Sequence, residues 1–386
     1  MQIVFSDAQY WEDFLPLSFT RPVAEMRVGI LTFSERWKKL LDIETSFYIT
    51  EDFLQEKYKK PAAGQSLFIV PNFLPSESLL HQIKDLKAGE ALVYDNELLV
   101  ANINMENFSL NQIEKMTDVT EDILFFKKPT DLFSYNEKAI DFDFDLLTKG
   151  RTSQELSSTC GFLGDKKDLF IEEGAVLEFA TINCKTGKIY IGKGAEVMEG
   201  CNLRGPIALC EHSKCNLGAK VYGATTIGPH SKIGGEINNI VIFGFSNKGH
   251  DGFVGNSVIG EWCNLGADTN SSNLKNNYAS VKLWNYKSKR FEDTGLQFCG
   301  LIMGDHSKTA INTQLNTGTV VGVAANIFKA GFPPNLVENF SWGGMKGDEK
   351  FKLEKAYEVS EKVMERRKVA LTENDKHILK YIYENY

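Results

Sequence analysis

Counting every sixth residue from Ile191 gives Ile191, Val197, Leu203, Leu209, Cys215, Val221, Ile227 and Ile233, all apolar, while the positions between them are mostly Gly, Lys, Glu, Asn, Ser and Thr. A helix repeats its apolar face every three or four residues, and a half-buried strand every two. A period of six fits neither. It predicts a solenoid in which each six-residue segment forms one flat side and sends one side chain inward, three sides closing a triangular coil of about 18 residues. Gly187, Gly192, Gly194, Gly200, Gly205 and Gly218 stand at the expected corners, where positive φ is common. Each buried anchor contributes roughly 1.5–3 kcal/mol, so a column of them in register outweighs local preference. The pattern starts near Leu169 with Ile171 and Leu177, slips across residues 181–188, continues at Ile259 and Leu265, and returns at Met303, Thr309, Leu315, Val321 and Ile327. Residues 276–298 break the period. There Tyr278, Val281, Leu283, Trp284 and Tyr286 roughly alternate, which predicts a hairpin arm leaving the coil, with the reach to meet a neighbouring subunit. Residues 348–386 contain no Gly or Pro and carry Phe351, Leu353, Tyr357, Val359 and Val363 at helical spacing. They predict one or two helices packed on the solenoid or on a partner.

The first 150 residues read differently. Strands are expected at residues 1–7, 66–70, 92–94 and 98–101, with helices at 33–41 and 78–86. Their alternation predicts a parallel α/β sheet. Residues 129–147, with Phe133, Ile140, Phe142 and Phe144, are expected to close this domain, and the polar residues 148–159 to link it onward. The chain is therefore divided into an α/β domain (1–155), a solenoid (156–345) and a helical tail (346–386).

Composition agrees with a two-domain globular chain: 386 residues, 42% hydrophobic and 24% charged. A net charge of −8 argues against a nucleic-acid or anionic membrane partner. No run approaches the roughly 18 apolar residues of a membrane span, and MQIVFSD lacks a signal pattern. The seven cysteines include no CxxC pair, as expected of reduced, partly buried thiols in a cytoplasmic protein.

Two stretches carry candidate chemistry. Pro16-Leu17-Ser18-Phe19-Thr20-Arg21-Pro22 resembles the first signature segment of sugar-1-phosphate nucleotidyltransferases, PLTxTRPKP. That family precedes it with a Gly-rich loop whose amides approach the triphosphate. Here residues 8–14 read Ala-Gln-Tyr-Trp-Glu-Asp-Phe and the first glycine is Gly29. Val23 replaces the family's lysine, and Pro71-Asn72-Phe73 stands in place of its metal-binding Gly-Asp pair. Arg21 and Arg27 remain candidate phosphate contacts, and Asp7 and Asp95 candidate metal carboxylates.

The second stretch is Ser246-Asn247-Lys248-Gly249-His250-Asp251-Gly252-Phe253, followed by Asn264-Leu265-Gly266-Ala267-Asp268-Thr269, Asn273-Leu274 and the run from Gly304-Asp305 to Ile311-Asn312. In order and spacing it resembles the acetyltransferase half of the GlmU-like two-domain family, N-acetylglucosamine-1-phosphate uridyltransferase/glucosamine-1-phosphate N-acetyltransferase. The resemblance covers most of residues 190–330. It implies a left-handed parallel β-helix of hexapeptide repeats, working as a homotrimer that holds CoA between adjacent coils. It implies acetyl transfer from acetyl-CoA to an amino-sugar phosphate there, and nucleotidyl transfer to a sugar-1-phosphate in the first domain, with Mg²⁺ and UTP or dTTP. His250 matches the family's base. An unperturbed imidazole titrates near pH ~6.5 and can take an ammonium proton at neutral pH. Arg204 and Lys248 match basic positions able to hold the sugar phosphate, Asn264 and Asn273 are candidates for sugar or thioester hydrogen bonds, and Lys282 matches a further basic position. Three departures stand out: Phe253 replaces a tyrosine, Asp268 a glycine, and Ile311 an expected serine. His306 reads as a corner residue, and His212 and His230 as solvated corner residues.

Other readings keep the fold and change the function. One is a monofunctional sugar-1-phosphate nucleotidyltransferase. Another is a non-catalytic nucleotide-sugar-binding scaffold, which the missing glycine loop favours for the first domain. A third is a zinc enzyme like the solenoid carbonic anhydrases, which needs three converging histidines where the sequence offers no closely spaced pair.

Overall fold

The computed structural model describes every residue except Met1, Ala8 and Asn107, so the first residue of the expected opening strand and of the glycine-free loop lie outside it. The chain forms two compact units, one of residues 1–14, 20–26 and 31–127, the other of residues 15–19, 27–30 and 128–386. No helix among the described residues is long and apolar enough to cross a membrane.

The first unit is an α/β layer. Its six-stranded sheet runs in the order Ser46–Ile49, Gln2–Ser6, Gln65–Ile69, Glu97–Asn104, Glu90–Tyr94, Lys115–Asp118. The first three strands are parallel, but Glu97–Asn104 runs antiparallel to both its neighbours. The sheet is therefore mixed rather than all parallel. The cause is local. Asp95 and Asn96 both have positive φ (53° and 63°), which makes a two-residue hairpin turn, and so short a connection permits only antiparallel pairing. The helices are Phe33–Leu41, started by a Thr32/Glu35 capping box, and Glu77–Asp85, capped by Ser76.

The second unit is a left-handed parallel β-helix carrying short helices. One face stacks Leu169–Ile171, Ile189–Ile191, Ile207–Leu209 and Thr225–Ile227, with Ile191 opposite Leu209 and Leu209 opposite Ile227. Val197, Cys215 and Ile233 stack on the second face, and Leu203 and Val221 on the third. All eight period-six anchors are buried at 0–1% exposure. The slip at 181–188 is a longer coil: Ile171 pairs with Ile191, twenty residues on, where Ile191 and Leu209 are eighteen apart. The solenoid also starts earlier than Leu169, because Gly161–Leu163 already pairs with Thr181–Asn183.

The second compact unit takes up the chain from residue 128, upstream of the expected boundary at residue 155. Helices Pro129–Ser134 and Asn136–Thr148 belong with the coils because their polar groups bond there. Asn136 Nδ2 donates to the Ala224 carbonyl at 2.9 Å and its Oδ1 accepts from Thr226 Oγ1 at 3.1 Å, while Lys188 pairs with Asp145 at 2.8 Å. Residues 27–30 join the same network: Gly29 N donates to Asn136 Oδ1 and Ile30 N to Asp143 Oδ2, both at 2.8 Å.

One corner of the solenoid carries His212, His230, Phe245, Trp262 and His306, all with φ of 52–61°. Their rings stack at centroid distances of 5.1, 5.0, 4.3 and 6.5 Å. The two histidines the sequence read as merely solvated are thus stacked on successive coils, a close pair that eighteen-residue spacing hides in a linear reading. Burial and the neighbouring His212 and Arg367 push the His230 pKa down. The tail forms helices Leu353–Glu365 and Glu373–Asn385, and its Met364 and Leu371 pack against Trp262 of the column. The hairpin is Lys282–Asn285 with Arg290–Asp293. It is not a free arm: Tyr286 meets Phe19 edge-on at 5.3 Å.

Leu209 lies at the centre of the anchor column with 0% exposure. Leu209→Ala should cost about 2–5 kcal/mol of solenoid stability, read from the solenoid transition in a guanidinium titration followed by circular dichroism. A loss below about 1 kcal/mol would contradict the packed-column account.

Candidate functional site

The site begins as a change in coil length. Between the second and third faces most coils place several residues, as in Cys215-Asn216-Leu217-Gly218-Ala219. The next coil has only Gly234 and Gly235 between Ile233 and strand Glu236–Gly244. Register is kept, since Val221 still pairs with Ile237, so the missing residues leave a notch at the corner. Both glycines are required by close approach. A Cβ on Gly234 would stand 2.5 Å from the Gly249 carbonyl oxygen, and one on Gly235, whose φ is +72°, 2.8 Å from Asp251 Cα. The resulting concavity of about 550 Å³ is lined by Met198, Asn216, Leu217, His250, Asp251, Asp268 and the glycines between them. A larger cavity of about 700 Å³, beside Glu338, Lys346 and Tyr386, contains no imidazole.

His250 stands exposed on this rim, with Asp251 beside it and Asp268 on the next coil. The two coils are tied by Asp268 N donating to the Asp251 carbonyl at 3.1 Å, and Asn216 Nδ2 donates to the Gly249 carbonyl at 2.8 Å. A base, a neighbouring carboxylate and an open concavity can accept a proton from an amine entering the notch.

The remaining candidates are placed less favourably. Lys248 does not reach outward for a phosphate. It occupies an inward anchor position opposite Ile233 at 1% exposure, and its ammonium donates to the carbonyls of Gly234, His250 and Asp251 at 3.1, 2.5 and 2.9 Å. Burial pulls its pKa down to about 8, against the opposing pull of Asp251 and Asp268. Phe253 lies three residues past His250 in a separate depression of about 360 Å³ with Asn270, Ser272, Gln314 and Phe332. Asn264 is exposed on the second face, opposite Asn247. Asn273 Nδ2 is occupied by Asn256 Oδ1 at 2.8 Å. Arg204 is exposed on the third face, stacked below Tyr222 and Asn238. It is three coils from Phe253's coil, or roughly 14 Å at the usual strand spacing, so the fold does not bring it to His250. Lys282 is exposed on the hairpin. His306 is buried in the aromatic column.

In the first unit the loop that replaces the glycine-rich segment is wound on itself. Tyr10 and Trp11 amides donate to the Asp7 carbonyl at 2.8 and 2.9 Å, Asp13 N to Tyr10 O and Phe14 N to Trp11 O. Trp11 and Phe14 are buried. Four amides of the loop are thereby engaged by its own backbone. Asp7 is buried, and its Oδ2 accepts from Val23 N at 2.8 Å and from Thr50 Oγ1 at 3.2 Å. Burial raises its pKa to about 7. Asp95 is exposed at the hairpin tip. Arg21 is buried and has protein partners. Arg27 is a structural pin of the second unit, its Nε donating to the Phe243 carbonyl at 3.1 Å and its Nη1 to that of Ile30. Asp7 Oδ1 is buried with no hydrogen-bond partner among the described residues, and Asp95 sits at the exposed hairpin tip. Among the described residues no group of three or more His, Cys, Asp or Glu is arranged to hold a metal.

Residues 2–152 match the family model for sugar nucleotidyl transferases. A bifunctional sugar-1-phosphate nucleotidylyltransferase/acetyltransferase of Sulfurisphaera tokodaii is 32% identical over 144 residues, 37% of this chain and 35% of that protein. The bifunctional protein GlmU of Methanocaldococcus jannaschii is 39% identical over 87 residues, 22% of this chain and 21% of its own length. The chain thus spans about a third and about a fifth of the lengths of these curated relatives. Over these segments the chain is similar to sugar nucleotidyl transferases and to GlmU-type bifunctional transferases. Its homologues are transferases of nucleotidyl and acetyl type.

The sequence signalled His250 through its motif but missed the rest of the notch. Gly234-Gly235 was legible as a shortened corner, and Met198 and Leu217 as residues at equivalent places on earlier coils. Asp268, seen only as a departure, is a wall of the concavity.

Asp7 supplies a test of the first unit. Its pKa in the fold, about 7, lies above the ordinary 3.8, so the unfolded chain ionises first. The fold loses stability as pH rises from about 4 to about 7 and is level above that. Asp7→Asn removes this slope and should gain on the wild type at pH 8 relative to pH 4, measured by denaturant midpoints. An equal difference at both pH values would contradict the buried-carboxyl assignment.

Proposed function

We propose that the β-helix transfers acetyl from acetyl-CoA to the amine of an amino-sugar phosphate such as glucosamine-1-phosphate, with His250 as the base. The observation that carries this reading is the notch cut by Gly234-Gly235, which is lined by His250, Asp251 and Asp268. The imidazole takes the proton as the nitrogen attacks the thioester carbonyl, the C–N bond forms, the C–S bond breaks, and CoA leaves as the thiol. The two carboxylates favour an ammonium entering the notch over an anion, so the phosphate points away from Asp268. The same edge exposes Phe179, Leu217 and Ile311. Such a row of apolar side chains supports a homotrimer in which this edge is covered.

For the first unit two readings stand. Its family model supports nucleotidyl transfer to a sugar-1-phosphate. The engaged amides of Tyr10, Trp11, Asp13 and Phe14 are not free to cradle a triphosphate, which weighs against turnover there and leaves binding of a nucleotide sugar to other groups as the second reading.

The test is a pair of assays on the purified chain: glucosamine-1-phosphate with acetyl-CoA, read as free thiol, and N-acetylglucosamine-1-phosphate with UTP and Mg²⁺, read as pyrophosphate. Thiol release without pyrophosphate is the expected result. His250→Ala should lower kcat of the first reaction by about 10²–10⁴-fold with unchanged circular dichroism, and full activity in that variant would overturn the assignment of the base.

A further inference from the structure

Lys248 stands where the solenoid's register calls for an apolar side chain. The position opposite it is Ile233, itself preceded in the stack by Cys215 and Val197. A buried ammonium in an apolar column is unfavourable unless every proton it carries finds an acceptor. Here three carbonyls are available, and each has a reason to be. Gly234 O belongs to the shortened corner, and His250 O and Asp251 O belong to the corner that overhangs it. An apolar anchor would take that donor from the Gly234 and His250 carbonyls, while the Asp251 carbonyl would keep the amide of Asp268.

We propose that Lys248 is a positioning residue for the His250 corner: its ammonium pins the backbone on both sides of the His250–Asp251 peptide to the Gly234 corner and so holds the imidazole over the notch. It acts through His250 and touches no substrate. The catalytic half of this inference rests on the proposed acetyl transfer, and the conformational half does not.

The pin is pH-sensitive. The charged groups acting on Lys248 are Asp251 on its own corner and Asp268 on the following coil, while the preceding coil contributes only Gly234. Both carboxylates stabilise the ammonium, and burial opposes them and prevails, bringing the pKa to about 8. A neutral amine has two N–H donors for three carbonyls, so the corner loosens as pH rises through that value.

The experiment is hydrogen–deuterium exchange of peptides spanning residues 246–254 in the full-length protein, referenced to peptides spanning 201–215 to cancel intrinsic base catalysis. In the wild type the ratio of the two rates should rise about threefold or more between pH 7 and pH 9.5. In Lys248→Met, which keeps the length without the charge, the ratio should already be high at pH 7 and stay level. A ratio independent of pH in the wild type overturns the proposal, and that measurement needs no variant to fold. Where acetyl transfer is present, Lys248→Met should lower kcat at least tenfold with KM within about twofold, and the alkaline limb of kcat should disappear. An unchanged kcat profile overturns the positioning role. Should no acetyl transfer be found in the wild type, the exchange result still decides whether Lys248 pins the corner, and only the reading of the substrate falls.

Discussion

The inward column of anchors constrains everything else in the second unit. Each coil pairs with the next in parallel, residue to residue, so the inward positions must stay aligned whatever the coil's length. Extra or missing residues can be accommodated only at corners. The coil through 183–188 gains residues and bulges. The coil through Gly234-Gly235 loses them and leaves a notch. The next corner, with His250 and Asp251, keeps its length and therefore overhangs the gap. The candidate site is thus a by-product of register, and glycine is needed there because the overhanging backbone comes within 2.5–2.8 Å of where a Cβ would sit.

Hydrogen-bond satisfaction shapes both candidate regions in opposite ways. At the His250 corner, carbonyls brought inward by the short coil are met by a lysine ammonium, and the imidazole is left facing the opening. In the first unit, the amides that a nucleotide would need are met by the loop's own carbonyls, and Trp11 and Phe14 fill the space with apolar rings. One arrangement leaves an imidazole exposed, and the other engages the amides of its own loop.

Period six was enough to place all eight anchors, since an inward position has no other way to be satisfied in a long parallel stack. The count breaks past Ile233, because the shortened coil brings Lys248 opposite Ile233 after only fifteen residues, and a lysine beside a histidine motif reads more readily as a ligand-binding cation. His212 and His230 were legible as corner residues but not as neighbours, because stacking along the coil axis joins residues eighteen apart. Asp95-Asn96 carried a tight-turn signal that would have identified the antiparallel hairpin. The association of residues 27–30 with the coils, through Gly29 and Asn136, joins positions more than a hundred residues apart and leaves no local trace.

The proposed reaction has the amine acceptor attack in the notch beneath His250. A crystal structure of the protein with CoA and glucosamine-1-phosphate tests it most directly. The expected complex has the sugar nitrogen within about 2.6–3.2 Å of the His250 ring, with the phosphate directed away from Asp268. Both ligands bound elsewhere, as in the cavity beside Glu338 and Lys346, with the notch holding only water, would contradict it.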